Sequence, residues 1–436
     1  MKKKLAIILS VFTALCSLSG CAESASAPDA GTSVPVSASA VIETETTASA
    51  VEETTAVPET TVPETAEDLT SGLIYDENDN TWSTENEKYK KFAAIMKYEC
   101  GRSPDIKGTY LLASDDEIIF LGGINSVGTD GNKVDEYTVY EIGSVTKTFT
   151  AAAVFQLCEQ GKLRLDDKLG KFFPEYTVGA DITIYQLLHM MSGIRREFLD
   201  NSHGLTEGDT NNEAFENWKR YYRDDYSDDE LLAELFSAEL DLEPGTGYQY
   251  SNVNYTLLAM IIEQVTGESY DEYIRKNIFD VCGMEHSSSM ADGDVTVVPD
   301  PIPADKYPFD INELSPEGYF GCQRTCRGAG DIHSCAADML AFDRALIGGK
   351  LLSEDSLAEM FKAEMMNNIF GYCCGWEYNE TFGKGTYYHS GATHFFRVYN
   401  VCMDTEEYGE LYLISLSPST DSYDKCVNSI AMAVKY

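Results

Sequence analysis

The sequence predicts an α+β fold, in which one antiparallel β-sheet is built from both ends of a large domain, is flanked by helices, and is joined by a mostly helical second lobe. Two observations favour this arrangement. Alternating apolar residues with turn signals, the pattern of antiparallel strands, occur early in the aromatic-rich part of the chain and again near its end. The segments between them are longer and apolar, and they have a helical period.

Strands are predicted at both ends of this region. The first are a hairpin over 110–122, which turns at Ser114-Asp115-Asp116, and a short strand over 137–142. The later strands are predicted at 372–377, 385–389, 395–403 and 409–416. Because the two groups are far apart in sequence, one sheet requires the chain ends to pair.

Helices account for most of the intervening sequence. The segment 145–160 is rich in alanine and ends at Gly161, a residue suited to the position after a helix. An acidic, polar stretch at 195–229 is predicted to be a surface insertion or a lid. The helices are predicted at 85–100, 145–160, 182–191, 255–266, 269–279, 336–347, 353–363 and 421–435.

Residues 1–20 have the form of a bacterial lipoprotein signal peptide. Basic residues at 2–4 precede an apolar run at 5–15, which is too short for a typical membrane span, and small residues then precede Cys21. Cys21 is the predicted lipidation site; the alternative is an ordinary secretory signal. We expect export and a lipid anchor on the extracellular face of the bacterial membrane, or on its periplasmic side in a Gram-negative cell.

Residues 21–70 are predicted to be a disordered tether. Alanine, serine, threonine, valine, proline and glutamate dominate this segment and it has no aromatic residue, so it cannot bury enough apolar surface to fold. Residues 71–436 are predicted to form the folded domain, which is long enough for a substantial core. The tether would hold this domain away from the membrane.

Charge and cysteine content limit the partners. A formal net charge of −40 without a basic tract excludes nucleic acid as the expected partner. Of the twelve cysteines, those outside the signal and lipidation positions are scattered, so we expect mostly core thiols, with one or two disulfides possible after export. Cys322, Cys326, His333 and Cys335 could be a metal cluster, but their spacing is unlike that of paired zinc ligands, so no metal is predicted.

Ser144 and Lys147 form a Ser-x-x-Lys motif at a helix start. Residues three apart share one helix face, so the lysine can point at the hydroxyl. Burial and the helix dipole can lower the pKa of this lysine, and the neutral amine could then take the serine proton. The alternative is that Ser144 only caps the helix. The same spacing recurs without supporting context at Ser422 and Lys425, so the motif alone does not decide.

Two further motifs carry candidate site residues. Tyr250 and Asn252 lie in a Tyr-Ser-Asn sequence between a Pro-Gly turn and a helix. Tyr250 could act as a general base and acid, with a pKa lowered by a nearby lysine, and Asn252 could orient a substrate amide. The alternative is a helix-entry loop with Asn252 as its cap.

His389, Gly391 and Ala392 belong to a His-Ser-Gly-Ala sequence on a predicted strand. Gly391 would allow close approach of a ligand backbone, and the amides of Ala392 and Ser144 could bind an oxyanion. His389 could contact a substrate carbonyl or carboxylate; the alternative is an exposed strand histidine.

Taken in this order, the three motifs resemble the serine β-lactamase and penicillin-binding-protein superfamily, whose signature is Ser-x-x-Lys, Ser-Asp-Asn and Lys-Thr-Gly. The Tyr-Ser-Asn and His-Ser-Gly forms are similar to the class C β-lactamase branch, which includes D-Ala-D-Ala carboxypeptidases, esterases and amidases. The likeness extends through most of the folded region, at 159–167, 187–193, 243–252 and 328–338.

The resemblance implies a β-lactamase/transpeptidase-like fold and a role for each motif residue. Ser144 would be the acylated nucleophile, Lys147 its activator and Tyr250 the general base and acid. Asn252 and His389 would bind substrate. Gly391 would keep the strand open and Ala392 would complete the oxyanion hole; the reaction would need no metal and no cofactor.

Two departures from the family's usual sequence concern the substrate. His389 stands where true β-lactamases have a lysine, which argues against efficient β-lactam hydrolysis. The sequence after Gly391 lacks the usual proline and glycine, and Phe395 in place of that glycine could narrow the cleft or shift the strand.

The expected function is hydrolysis of D-amino-acid peptides of the cell wall, or of related small amides and esters. The alternatives are an esterase or weak β-lactamase with the same site, and a penicillin-binding sensor that turns over slowly.

Overall fold

The computed structural model describes residues 68–198, 226–289, 295–300, 323–380, 384–393, 395–419 and 425–435. The predicted signal peptide, Cys21 and nearly all of the predicted tether lie outside these ranges. So does 199–225, most of the predicted insertion at 195–229. The fold is given for the described residues.

A ten-stranded sheet forms the centre of the domain. Its strands are β1 (Ile74–Asp76), β2 (Thr81–Ser83), β3 (Gly108–Ser114), β4 (Ile118–Ile124), β8 (Glu364–Met365), β9 (Phe370–Tyr372), β10 (Glu377–Asn379), β11 (Thr386–Ala392), β12 (Arg397–Thr405) and β13 (Gly409–Ser417). The spatial order is β1-β2-β4-β3-β13-β12-β11-β10-β9-β8, and neighbouring strands are antiparallel. Leu413 of β13 lies opposite Leu112 of β3, so strands from the two ends of the folded domain pair as predicted.

A second sheet of the described residues has three strands. Its strands are β5 (Tyr140–Glu141), β6 (Ser288–Ser289) and β7 (Ile332–Ser334), in the order β5-β7-β6. The short predicted strand at 137–142 is therefore confirmed in part, as β5.

Helices make up the rest of the described fold. They are α1 (Lys90–Gly101), α2 (Thr146–Glu159), α3 (Ile184–Leu188), α4 (Asp228–Ser237), α5 (Asn252–Thr266), α6 (Tyr270–Ile274), α7 (Asp280–Cys282), α8 (Gln323–Cys326), α9 (Ala336–Ile347), α10 (Glu354–Met360) and α11 (Lys425–Lys435). A π-helical turn, Arg275–Phe279, connects α6 to α7. Among these described helices, none combines the length and the apolar character that crossing a bilayer requires.

The sheet separates two apolar clusters. Successive strand residues point to opposite faces, so Leu112 of β3 joins the cluster beneath α1 and α11, whereas Leu111 joins the larger core with α2, α5 and α9. All seven residues of β3 are buried, as expected for a strand covered on both faces. The described fold is thus the predicted sheet with flanking helices and a helical lobe.

Several predicted elements differ from the structure: the helix predicted at 182–191 is only Ile184–Leu188, and the one predicted at 269–279 is α6 followed by the π-helical turn. The segment 372–377 was predicted as one strand, but Tyr372 ends β9, Glu377 begins β10, and the residues between them turn at Gly375, whose φ is +78°. This turn packs against α2: a Cβ on Gly375 would lie 2.6 Å from the Lys147 carbonyl oxygen. The residues of this turn are buried and therefore apolar, like those of a buried strand. The sequence pattern could not distinguish the two. The first helix begins at Lys90, later than predicted.

Candidate active site

Ser144 lies in a 3₁₀ turn, Gly143–Val145, between β5 and α2. The turn requires a φ of +52° at Gly143, which glycine tolerates. Val145 is the N-cap of α2 and makes no side-chain capping bond, whereas the Ser144 hydroxyl accepts a hydrogen bond from the Lys147 side chain. The alternative that Ser144 caps the helix is therefore not what the geometry shows.

Lys147 is fully buried and its amine has three polar neighbours. Its Nζ donates to Ser144 Oγ at 3.1 Å, to Asn252 Oδ1 at 2.9 Å and to the carbonyl oxygen of Ala329 at 2.7 Å. Burial lowers the pKa of Lys147 to about 7, and the Glu197 carboxylate is among the charges that oppose this shift. A substantial fraction of the amine is therefore neutral near pH 7 and able to accept a proton.

Tyr250 adjoins Ser144 from the loop before α5. Its side chain is hydrogen-bonded to that of Ser144, and the Lys147 Nζ lies 5.0 Å from its ring centroid. We expected the lysine to lower the pKa of Tyr250, and this expectation is wrong. Burial raises the pKa of the phenol above its usual value, and the hydrogen bond to Ser144 offsets only part of that rise. Tyr250 is therefore a proton donor near neutral pH, and Lys147 is the better base.

Asn252 is the first residue of α5 and connects Lys147 to Glu197. Its Oδ1 accepts from Lys147, and its Nδ2 donates to Glu197 Oε1 at 2.7 Å. Ser251, not Asn252, occupies the N-cap position of the helix. Both the oxygen and the nitrogen of the Asn252 side-chain amide are therefore hydrogen-bonded within the site. The alternative, in which Asn252 caps the helix, does not apply.

Glu197 and Arg196 border the site and were not predicted as site residues. The Glu197 side chain is 6% exposed, and the Arg196 guanidinium lies 5.2 Å from the Tyr250 ring centroid. Arg196 also helps to position Asn252, because its backbone carbonyl oxygen accepts a hydrogen bond from the backbone N–H of Asn252 at 2.9 Å. Both residues open the polar stretch that the sequence assigned to an insertion. Arg196 and Glu197 are more than fifty residues from Asn252 in sequence, and no motif links them to it. Only the tertiary fold brings these two segments together.

His389 lies on β11 and is buried, not exposed, at 1%. Its Nε2 is 3.2 Å from the Tyr372 hydroxyl, and its Nδ1 is 2.8 Å from the Ser390 carbonyl oxygen. Burial, followed by the charge of Lys147, lowers the pKa of His389 to about 3. The ring is therefore neutral and does not supply the positive charge that a lysine would place here.

Gly391 and Ala392 bring β11 against the Ser144 turn. A Cβ on Gly391 would lie 2.0 Å from the Ile142 carbonyl oxygen, so only glycine fits. A Cβ on Gly143 would lie 3.0 Å from the Ala392 backbone nitrogen. The Ala392 amide is thus next to the turn that holds Ser144, as an oxyanion hole made of these two amides requires.

The departures after Gly391 affect the core. Phe395 is 3% exposed and packs into the larger apolar core, and Phe396 meets Tyr140 edge to face. Phe395 therefore packs inward in place of the family's glycine, while His394 lies outside the described residues.

The sequence's possible metal ligands do not form one group where the structure describes them. Cys322 lies outside the described residues. Within the described ranges, Cys335 lies near His286 and Asp338, and these three could bind a metal ion. Cys326 and His333, which the sequence suggested, do not belong to that group. Asp338 Oδ2 already accepts from the His286 amide and the Ser287 hydroxyl, both at 2.8 Å.

The seven sequence-predicted site residues of the folded domain thus lie on three adjoining parts of the fold: the Ser144 turn with α2, the loop that leads into α5 with the first residue of that helix, and β11. A hydroxyl in contact with a buried amine of near-neutral pKa, a phenol that can donate, and two converging backbone regions suit nucleophilic acyl transfer.

The comparisons with known proteins agree with this geometry. The Beta-lactamase family model matches residues 99–430. The chain is 34% identical over 225 residues to a putative penicillin-binding protein, PbpX, of Bacillus subtilis, covering 51% of this chain and 50% of that one. It is 28% identical over 308 residues to penicillin-binding protein 4* of the same organism, covering 67% and 64%. The chain therefore spans about half to two thirds of the length of these curated relatives.

Solved structures with this fold include amide hydrolases. A D-stereospecific amidohydrolase from Streptomyces sp. is 22% identical with a TM-score of 0.58, covering 78% of this chain and 98% of that one. D-amino acid amidase from Ochrobactrum anthropi SV3 is 20% identical with a TM-score of 0.57, covering 79% and 99%. At this identity the likeness shows the fold. Since the family model covers most of the chain, the protein belongs to the Beta-lactamase family of serine hydrolases.

Proposed function

We propose that the protein is an exported, lipid-anchored hydrolase that works through an acyl-enzyme on Ser144 and acts on D-amino-acid peptides of the cell wall or on related small amides. The observation that carries the proposal is the 3.1 Å contact between the Ser144 hydroxyl and a buried Lys147 whose pKa is about 7. A neutral amine in hydrogen-bond contact with a hydroxyl can act as its general base.

Acylation follows from these contacts. Lys147 accepts the Ser144 proton as Oγ bonds to the substrate carbonyl carbon, and the resulting oxyanion is stabilised by the amides of Ser144 and Ala392. When the carbon–nitrogen bond breaks, Tyr250 donates its proton to the leaving nitrogen, and the protonated amine of Lys147, which lies beside the Tyr250 ring, then gives its proton to the Tyr250 phenolate. Charge and proton count are then restored, with the acyl group on Ser144.

Deacylation runs the same proton path in reverse. A water molecule gives a proton to the Tyr250–Lys147 pair as its oxygen attacks the ester carbon. The Ser144 oxygen leaves and takes that proton, which releases the acid and regenerates the free enzyme. Every proton transfer in this scheme is made by Ser144, Lys147, Tyr250, the substrate or water.

Three observations support an amide substrate over a β-lactam. One structural neighbour is named as a D-stereospecific amidohydrolase and another as a D-amino acid amidase. His389 is neutral and buried, so the charge that would hold a β-lactam carboxylate is missing there. Arg196, beside Tyr250, is a cation that could bind the terminal carboxylate of a peptide instead.

The anchor at Cys21 is part of the proposal and supports a wall substrate, since it would keep the enzyme where cell-wall peptides lie. Metabolic labelling with an alkyne fatty acid tests it: the wild-type protein should be labelled and should fractionate with membranes, and Cys21→Ala should do neither. Equal labelling of both proteins would contradict the anchor.

The nucleophile is tested by a fluorophosphonate probe and a fluorescent penicillin. Wild-type protein should be labelled, and Ser144→Ala should lose the label while keeping its melting temperature. Equal labelling of the two would show that another group reacts. A label that persists for hours on the wild type, without product release, would favour the slowly turning-over sensor.

The substrate is tested by comparing D-Ala-D-Ala peptides, D-amino acid amides, short esters and a cephalosporin. We expect the highest kcat/KM on the first two. Arg196→Gln should raise KM about tenfold for a peptide with a free carboxylate, by the loss of one charge-assisted hydrogen bond, and should leave KM for an amide without that carboxylate unchanged. A preference for esters over every amide would support the esterase alternative.

A further inference from the structure

Two buried cysteines meet where α1 and α11 pack on one face of the sheet. Cys100 lies in the last turn of α1 and Cys426 in the first turn of α11, and their sulfur atoms are 3.9 Å apart. Their exposed fractions are 2% and 0%, and both belong to the apolar cluster that these helices share. Neither residue takes part in the chemistry at Ser144.

The two helices are held in register beyond the sulfur contact. Ser429 Oγ donates to Glu99 Oε1 at 2.8 Å, and Lys91 Nζ reaches the Ala433 carbonyl oxygen at 3.4 Å. The early part of one helix therefore lies beside the late part of the other, and the pair is antiparallel. This packing fixes the two cysteines opposite each other at the end where α1 stops and α11 starts.

Other cysteines of the described residues contact different groups. Cys373 and Cys374 are adjacent in sequence, yet the Cys373 thiol donates to the Phe361 carbonyl oxygen at 3.4 Å and Cys374 lies 3.7 Å from both His189 ring nitrogens. These contacts do not place the two sulfurs for pairing. Cys100 and Cys426 differ in that each thiol has the other as a neighbour.

We propose that Cys100 and Cys426 are a modification site, at which an intramolecular disulfide joins the first and last helices of the folded domain. A disulfide bond is about 2.05 Å long, so the sulfur atoms, now 3.9 Å apart, must approach by about 2 Å. The helix contacts already hold the backbones together, so no new packing is required.

The bond forms by exchange with a disulfide donor, either glutathione disulfide or a protein disulfide. One cysteine thiolate attacks the donor and releases a donor thiolate, and the second thiolate then displaces the donor from the mixed disulfide. In total the donor disulfide is reduced by two electrons, and its two thiolates take up the two protons that the cysteine thiols lose. Because both thiols are buried in the folded domain, exchange occurs as the chain folds.

The consequence concerns stability outside the cell. The two cysteines are 326 residues apart, and in the chain-entropy model a bond that closes a long loop restricts the unfolded chain strongly. It would also tie together the two ends of the folded domain, which supply the central strands β3 and β13. Exported proteins are the class in which such bonds persist.

The test is refolding of the complete mature protein in buffers of oxidised or reduced glutathione, followed by alkylation under denaturing, non-reducing conditions and peptide mapping. We expect a linked pair of peptides containing Cys100 and Cys426 after oxidation, lighter by the two thiol hydrogens, and a melting temperature several degrees higher than that of the reduced protein. Alkylation of both thiols after oxidative refolding would overturn the proposal.

Two variants separate the bond from simple packing. Cys426→Ser should abolish the difference in melting temperature between oxidised and reduced protein, whatever its absolute stability. Cys402→Ser, at another buried cysteine, should keep that difference. If Cys426→Ser kept it as well, the proposed pair would be wrong. Labelling of Ser144 is an independent readout, so failure here leaves the proposed function standing.

Discussion

The charge state of Lys147 sets the pH at which Ser144 can be activated. Its folded pKa is about 7, and the base is the neutral form, which is present above that pKa. We predict that kcat/KM rises about tenfold per pH unit below pH 7 and levels off above it, as a single ionisation requires. No fall from Tyr250 should appear below pH 10, because burial raises the pKa of that phenol.

This pH profile is measured on an amide substrate, and Lys147→Arg is the comparison. An arginine keeps a positive charge but cannot lose its proton in this range, so activity should fall to background at every pH. If activity persisted with the same rise near pH 7, a group other than Lys147 would be the base.

Glu197 is predicted to position Asn252 and to tune Lys147. In Glu197→Gln, the side-chain oxygen can still accept from Asn252 Nδ2, but the charge that opposes the lowered pKa of Lys147 is lost. The rise in kcat/KM should therefore move to lower pH, with a plateau close to that of the wild type. In Glu197→Ala the acceptor is also lost, and the plateau should fall about tenfold.

Full pH profiles of the two variants decide between this role and a purely structural one. A structural role would lower melting temperature and activity together, without moving the rise. The control is Glu243→Gln, at an exposed glutamate on the loop that precedes Tyr250, which should change neither parameter.

At the scale of elements, the site depends on how closely β11 lies against the Ser144 turn. The Gly391→Ala substitution would place a Cβ 2.0 Å from the Ile142 carbonyl oxygen, so the strand must move away. The Ala392 amide would move with it and leave the oxyanion. We predict a loss in kcat on the order of 10²–10³-fold, the effect of removing one oxyanion donor.

The measurement is steady-state kinetics together with thermal unfolding of the same preparation. Gly247→Ala is the matched control, because its added Cβ would meet Leu242 only at an ordinary 3.8 Å. Wild-type kcat in Gly391→Ala would show that Ala392 does not stabilise the oxyanion.

At the scale of the molecule, one buried acid joins the helical layer to the sheet. Asp343 of α9 accepts from Asn400 Nδ2 of β12 at 2.8 Å, and both residues are fully buried. Burial raises the pKa of Asp343 to about 8. Between about pH 4 and pH 8 the folded state therefore holds a proton that the unfolded state has lost, and this site lowers stability as the pH rises through that window.

We predict that Asp343→Asn removes this cost. Its melting temperature should exceed that of the wild type by about 2–4 °C at pH 8, with a smaller difference at pH 5. Thermal unfolding at the two pH values is the measurement, and Asp79→Asn, at an exposed turn, should match the wild type at both. A difference independent of pH would mean that Asp343 is ionised in the folded protein.

The sequence by itself predicted the sheet from both chain ends, the helix after Ser144 and the motif residues, because hydrophobic period and motif order are local properties of the chain. The helix at Ala336–Ile347 has the predicted limits, and α5 ends at Thr266 as expected, since Gly267 can adopt the left-handed conformation. The turn at Gly375 was not predicted because the apolar residues around it reflect its burial. They carry no sign of the left-handed backbone conformation that Gly375 adopts.

The tertiary structure decided the electrostatics of the site. Sequence could place Lys147, Tyr250 and His389 near one another, but pKa shifts depend on burial and on neighbours brought from distant segments. Packing therefore made His389 neutral, kept Tyr250 protonated and added Glu197 to the Lys147 network. It also brought Cys100 beside Cys426, a proximity that no local pattern in the chain encodes.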